Sequence, residues 1–166
     1  MNILEFAKEK EKFSEDYYRK LADKTSDKGL KNICLMLAEE EVKHYKIVQS
    51  MQNENIIKLT DASVIKNAKK IFESMKDAAE KFNFDISELE LYKKARDIEQ
   101  QSRDFYLEKA NETDIQNHKK IFTQLANEEK KHYFLLDKIC TFIEKPKWFL
   151  ENAEMNHFDD YVEGVL

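Results

Sequence analysis

Apolar residues recur along this chain at intervals of three and four, the spacing of one face of an α-helix, in four long segments. From about Asn2 to Lys24 the stripe is Leu4, Ala7, Glu11, Ser14, Tyr18 and Leu21. A second runs to about Met51 through Leu30, Cys34, Leu37, Glu41, His44 and Val48, with Ser26 and Asp27 offering its N-cap. A third, opened by the capping box Ser87-x-x-Glu90 and ending near Ala110, carries Tyr92, Ala95, Glu99, Ser102 and Tyr106. A fourth, opened by Thr113-x-x-Gln116 and stopped by Pro146, carries Phe122, Leu125, Glu129, His132, Leu136, Ile139 and Ile143. Between the second and third, a loop at 53–60 and a shorter helix capped by Thr60 or Asp61 and reaching Phe82 are expected. Tight turns join the first two helices and the last two. The pattern therefore predicts an all-α four-helix bundle of two hairpins joined by a crossover with a short extra helix, as in bundles with one long connection.

The hairpins are copies. A shift of 88 positions carries Ala7, Glu11, Ser14, Asp16, Tyr18 and Ala22 onto Ala95, Glu99, Ser102, Asp104, Tyr106 and Ala110. The same shift carries Ile33, Leu37, Glu40, Glu41, Lys43, His44 and Tyr45 onto Ile121, Leu125, Glu128, Glu129, Lys131, His132 and Tyr133. An approximate two-fold relates the halves. Residues 1–145 form the expected bundle domain, and the tail 146–166, with Trp148, Phe149 and Phe158, is expected to pack back on it.

Composition narrows the classes. Among 166 residues there are 2 Gly and 1 Pro, too few turn formers for a β protein, while charged residues at 37% fit long helices with solvated outer faces. The net charge of −5 with Lys and Glu interleaved argues against nucleic acid and anionic membrane surfaces. No apolar run approaches the roughly 20 residues of a membrane span, and the start lacks a signal peptide's apolar region, so a cytoplasmic protein is expected. Cys34 and Cys140 form no C-x-x-C pair and read as small buried hydrophobes.

Within the stripes, polar residues stand where a core wants leucine. Residues three apart share a helix face, so Glu41 and His44 point the same way, as do Glu129 and His132. With Glu11 and Glu99 they bring four carboxylates and two imidazoles to the bundle's middle. Buried unpaired carboxylates are costly, and two divalent cations would balance the four charges. Such ligands suit iron or manganese, and one Glu from each of two helices plus Glu-x-x-His from the other two is the dinuclear bundle pattern. One Glu-x-x-His alone would read as surface charge; two at an unbroken spacing, each preceded by an inward Glu, do not. Tyr18 and Tyr106, seven residues after Glu11 and Glu99, can hydrogen-bond the carboxylates or serve as core tyrosines. His118 is expected exposed or capping, His157 structural, and Asp16 and Asp104 solvated.

Glu11 followed by Tyr18, Glu41-x-x-His44, Glu99 followed by Tyr106, and Glu129-x-x-His132 resemble the di-iron domain of rubrerythrins, within the ferritin-like superfamily. The resemblance spans residues 1 to about 145, and the "P-x-W-F-x-x-A-E" tail is similar to short rubrerythrin-like proteins. It implies two iron ions per chain (manganese or another divalent metal being possible), one on Glu11, Glu41 and His44, the other on Glu99, Glu129 and His132, with Glu41 and Glu129 bridging. It also implies that Glu40 faces His132 and Glu128 faces His44, accepting the free imidazole N–H that a ligating histidine usually donates. The chain departs from the family pattern in two places. No Cys set here builds a rubredoxin domain, so an external donor such as a rubredoxin-type protein is expected. Ser102 stands where rubrerythrin has a further Glu, which puts its redox-linked ligand switch in question. Val42 stands where bacterioferritin has its haem-ligating Met, which speaks against haem.

The resemblance implies a non-haem di-iron oxidoreductase reducing hydrogen peroxide, with peroxide or dioxygen as oxidant, a role in oxidative stress, and a homodimer. The alternatives are a ferroxidase or iron-storage protein, and a bundle whose metal is only structural.

Overall fold

The computed structural model describes residues 2–60, 63–152 and 158. Four long helices carry the architecture: α1 (Ile3–Lys24), α2 (Lys28–Gln52), α4 (Ile86–Glu112) and α5 (Gln116–Glu144), with α3 (Val64–Ser74) in the crossover and α6 (Pro146–Glu151) after the bundle. No strand occurs among the described residues. α1 packs along α2 and α4 along α5, as the two hairpins require. The chain is thus an all-α, ferritin-like helical bundle. No helix among the described residues is long and apolar enough to cross a membrane.

The helix starts follow side-chain chemistry. Asn2 caps α1 by accepting the Glu5 N–H at 2.8 Å, and Asp27 caps α2 by accepting that of Leu30 at 2.8 Å. The two expected capping boxes are not formed. Asp85, not Ser87, caps α4: its carboxylate takes the Glu88 N–H at 3.0 Å and also accepts the Ser87 hydroxyl, which is therefore consumed. Thr113 ends α4, and its Oγ1 accepts the Ile115 N–H at 3.2 Å, so α5 opens at Gln116 without a side-chain cap.

The crossover differs from the expected single helix reaching Phe82. α3 begins after Ser63 and ends at Ser74, and a 3-10 turn, Lys76–Lys81, follows. The Met75 N–H bonds Phe72 O and the Ala78 N–H bonds Met75 O, both at 3.0 Å. These three-residue steps tighten the backbone and end the α-helix. Of the proposed caps, Asp61 lies outside the described residues and Thr60 precedes the helix by several positions. Pro146 stops α5 and also opens α6 as its first residue, where the missing N–H costs nothing.

Aromatic packing closes one end of the bundle. Phe72 of α3 meets Phe142, Phe149 and Phe158 at centroid distances of 5.2, 5.1 and 5.7 Å. Phe149 and Phe158 are fully buried, whereas Trp148 remains 45% exposed. Cys34 and Cys140 are buried free thiols, and burial pushes them up to about 12 and about 11, so both stay protonated at neutral pH.

Candidate metal centre

All six inward polar residues converge. Glu11, Glu41, His44, Glu99, Glu129 and His132 are each at most 2% exposed. Helix period sets this arrangement: Glu41 lies seven positions after Cys34 and Glu129 seven before Leu136, so each sits two turns along a stripe of core residues.

The contacts cross between hairpins. Nδ1 of His44 lies 2.9 Å from Glu129 Oε1, and 3.6 Å from both Glu11 Oε2 and Glu41 Oε2. Nδ1 of His132 lies 3.1 Å from Glu41 Oε1, 3.5 Å from Glu99 Oε1 and 3.8 Å from Glu129 Oε2. Two groups of possible metal ligands result, Glu11, Glu41, His44 and Glu129, and Glu41, Glu99, Glu129 and His132; within each, one ligand atom per residue lies within 4.8 Å of the others. Glu41 and Glu129 belong to both. Tyr18 donates its hydroxyl to Glu99 Oε1, and Tyr106 donates to Glu11 Oε1, so each tyrosine serves the carboxylate of the other hairpin.

Burial by itself would raise all four carboxyls. The structure divides them. Burial pushes Glu41 and Glu129 well above the usual range, and neighbouring carboxylates add to it. For Glu11 and Glu99 burial acts in the same direction but is outweighed. Glu11 is lowered by hydrogen bonds with Glu41, His44 and Tyr106 together with the His44 charge; Glu99 falls to about 2, chiefly through the His132 charge. Burial disfavours the two imidazolium ions, yet the adjacent carboxylates win and raise both histidines. Without metal these directions favour the carboxylate at Glu11 and Glu99, the imidazolium at His44 and His132, and the protonated acid at Glu41 and Glu129.

The donor set fits two divalent cations. Glu41 Oε2 and Glu99 Oε2 are buried with no hydrogen-bond partner, as oxygens awaiting an ion would be. Two divalent ions would balance four carboxylates and leave both imidazoles neutral, the form that ligates. Oxygen and nitrogen donors of this mix suit iron or manganese.

The remaining expected residues separate. Glu40 and Glu128 are nearly buried and join His44 and His132 in a third group within 4.8 Å, but neither imidazole Nε2 has a hydrogen-bond partner, so the expected carboxylate–imidazole bonds are not made. Their oxygens pair instead with Lys43 and Lys131, at 3.0 and 3.2 Å. Ser102 and its repeat counterpart Ser14 are buried. Asp16 and Asp104 are exposed, His118 is half-buried against Phe122, and His157 lies outside the described residues. A buried polar group that sequence reasoning passed over is Glu88, which accepts from Ser26 Oγ at 3.2 Å and from Thr25 Oγ1, tying the end of α1 to the start of α4. It reads in sequence as an ordinary acidic first-turn residue, and no local signal marks it.

A helical bundle with a buried carboxylate–imidazole cluster of this composition could hold metal as ferritin-like proteins do. The rubrerythrin family pattern matches residues 2–140, and the chain belongs to that family. Its members are usually di-iron oxidoreductases, and the buried cluster fits a di-iron protein. Comparison with curated proteins and with solved structures returns no match.

Proposed function

We propose that this chain is a di-iron oxidoreductase that reduces hydrogen peroxide with electrons from an external donor. The observation that carries the reading is the sharing of Glu41 and Glu129 by two ligand groups, each completed by its own histidine and its own terminal carboxylate. In this assignment Glu11, Glu41 and His44 would hold one ion and Glu99, Glu129 and His132 the other, with Glu41 and Glu129 common to both groups. Bound there, two reduced ions would supply the two electrons that, with two protons, convert peroxide to two waters.

The protein's own groups supply position, dryness and protons. Near-complete burial of the six residues keeps bulk water from the cluster. The phenols of Tyr18 and Tyr106 orient Glu99 and Glu11 and stay protonated, because burial and the adjacent carboxylates hold both well above the usual tyrosine range. With Nδ1 of each imidazole facing the inner carboxylates, Nε2 would carry the proton of a neutral ring, and Glu40 and Glu128, grouped with the two histidines within 4.8 Å, would be acidic acceptors for it. The electrons are proposed to come from an external carrier of rubredoxin type.

Stopped-flow oxidation of the anaerobic di-ferrous protein decides the substrate. Faster reaction with hydrogen peroxide than with dioxygen supports the proposal. Faster reaction with dioxygen, with ferric product leaving the centre, moves the protein to ferroxidase or iron storage.

A further inference from the structure

Each imidazole offers only one nitrogen to the inner carboxylates. Nδ1 of His44 and of His132 face Glu129 and Glu41, while Nε2 of both rings is buried with no partner. The rings are stacked, with planes 10° apart and centroids 5.5 Å apart. Glu40 and Glu128 join the two histidines in a third group whose ligand atoms lie within 4.8 Å of one another, and Nε2 is the nitrogen of each ring that does not face the inner carboxylates. Glu128 Oε2 is likewise buried and unpartnered. Oε1 of Glu40 and Oε1 of Glu128 are covered by Lys43 and Lys131, whose side chains are 51% and 29% exposed. A surface cleft of about 270 Å³ between α2 and the start of α3 has Glu39 and Glu40 in its wall, so this group lies one side chain from solvent.

We propose that Glu40, Glu128 and Nε2 of His44 and His132 form a capture site for a divalent metal cation on its way to the inner centre. The inference rests on the dinuclear reading of that centre. Two carboxylates and two imidazole nitrogens match a first-row divalent ion. The arriving ion displaces the lysine ammonium groups from the carboxylates, and Nε2 yields any proton it carries to solvent. Once inner ions take Nδ1, the Nε2 positions regain protons and donate to Glu40 and Glu128, which closes the outer group. The site is therefore filled first and emptied last on loading, and the loaded protein holds two ions.

The test is Co²⁺ loading of the metal-free full-length chain, followed by cobalt absorption in a stopped-flow instrument without oxygen. Glu40→Gln with Glu128→Gln keeps acceptors for the imidazole N–H groups but removes the charge. This variant is expected to load about tenfold more slowly while reaching the same two ions per chain, whereas Glu39→Gln, an exposed neighbour, changes the rate by less than about twofold. Brief Co²⁺ soaks of metal-free crystals should place the first anomalous density at Glu40 and Glu128. Loading of the double variant at the wild-type rate, or a slowing matched by Glu39→Gln, overturns the capture site. A wild-type end point other than two ions overturns the dinuclear reading instead, so the rate and the end point separate the two claims.

Discussion

Tyr106 on α4 donates its hydroxyl to Glu11 on α1, 95 positions away in the chain, and thereby fastens a candidate metal ligand of one hairpin to the core of the other. Its repeat partner Tyr18 does the same for Glu99. Removing one phenol should therefore act on one half of the centre. Tyr106→Phe is expected to weaken the ion nearest Glu11 and His44 by about tenfold, the lower end for loss of a ligand's hydrogen-bond partner. Tyr18→Phe should do this to the ion nearest Glu99 and His132. Stepwise Co²⁺ titration by calorimetry resolves the two; equal weakening of both ions in each variant would contradict the crossed arrangement.

The metal-free protein should be most stable at mildly acid pH. Glu41, Glu129, His44 and His132 all hold their protons more tightly folded than unfolded, so their contribution is full below the unfolded values and is lost as pH rises through the folded ones. Glu11 and Glu99 are lowered from 4.5, so theirs is present above that value and is lost as pH falls, for Glu99 toward about 2. Thermal melts across pH check this. A metal-free protein that gains stability steadily from acid to alkaline pH would mean that these four groups are not raised in the folded state.

Glu41→Gln with Glu129→Gln imitates the protonated state that burial favours. Without metal, this variant should melt above the wild type at alkaline pH, because it has no buried acid left to ionise, while its metal binding collapses at both positions. Paired calorimetric melts and metal titrations measure both effects.

Loading two ions should expel protons. At mildly acid pH the imidazolium ions give up one each, as do the acids Glu41 and Glu129, so release should approach four protons per chain. Titration in buffers of different ionisation enthalpy counts them. Release near zero would show that the ligands are already charged before metal arrives.

Much of this was legible in the sequence, for a physical reason. Leu30, Cys34, Leu37, Glu41, His44, Val48 and Met51 are all buried because a long helix keeps a fixed period, and a stripe needs no knowledge of its neighbours. Ends are different. At the start of α4, Asp85 and Ser87 compete for the same turn, and the outcome depends on geometry that a capping pattern does not contain. The crossing of Tyr18 and Tyr106 between hairpins required tertiary placement, as did the division of the carboxyls. Glu11 and Glu41 both face His44, but Glu11 also accepts the Tyr106 hydroxyl, whereas Glu41 meets the charges of Glu99 and Glu11.

The aromatic end cap should matter to stability and not to the centre. Phe72→Ala removes the ring that touches Phe142, Phe149 and Phe158, and is expected to cost about 3–5 kcal/mol. Metal stoichiometry of the folded variant should stay at the wild-type value.

The most direct measurement is anomalous diffraction at the iron edge from crystals of the iron-loaded protein. The account predicts two peaks inside the bundle about 3.5–4 Å apart, as in other two-metal sites. One should lie beside Glu11 and His44, the other beside Glu99 and His132, with Glu41 and Glu129 reaching both. A single internal peak, or iron bound only at the surface while these six side chains keep the contacts of the metal-free protein, would contradict it.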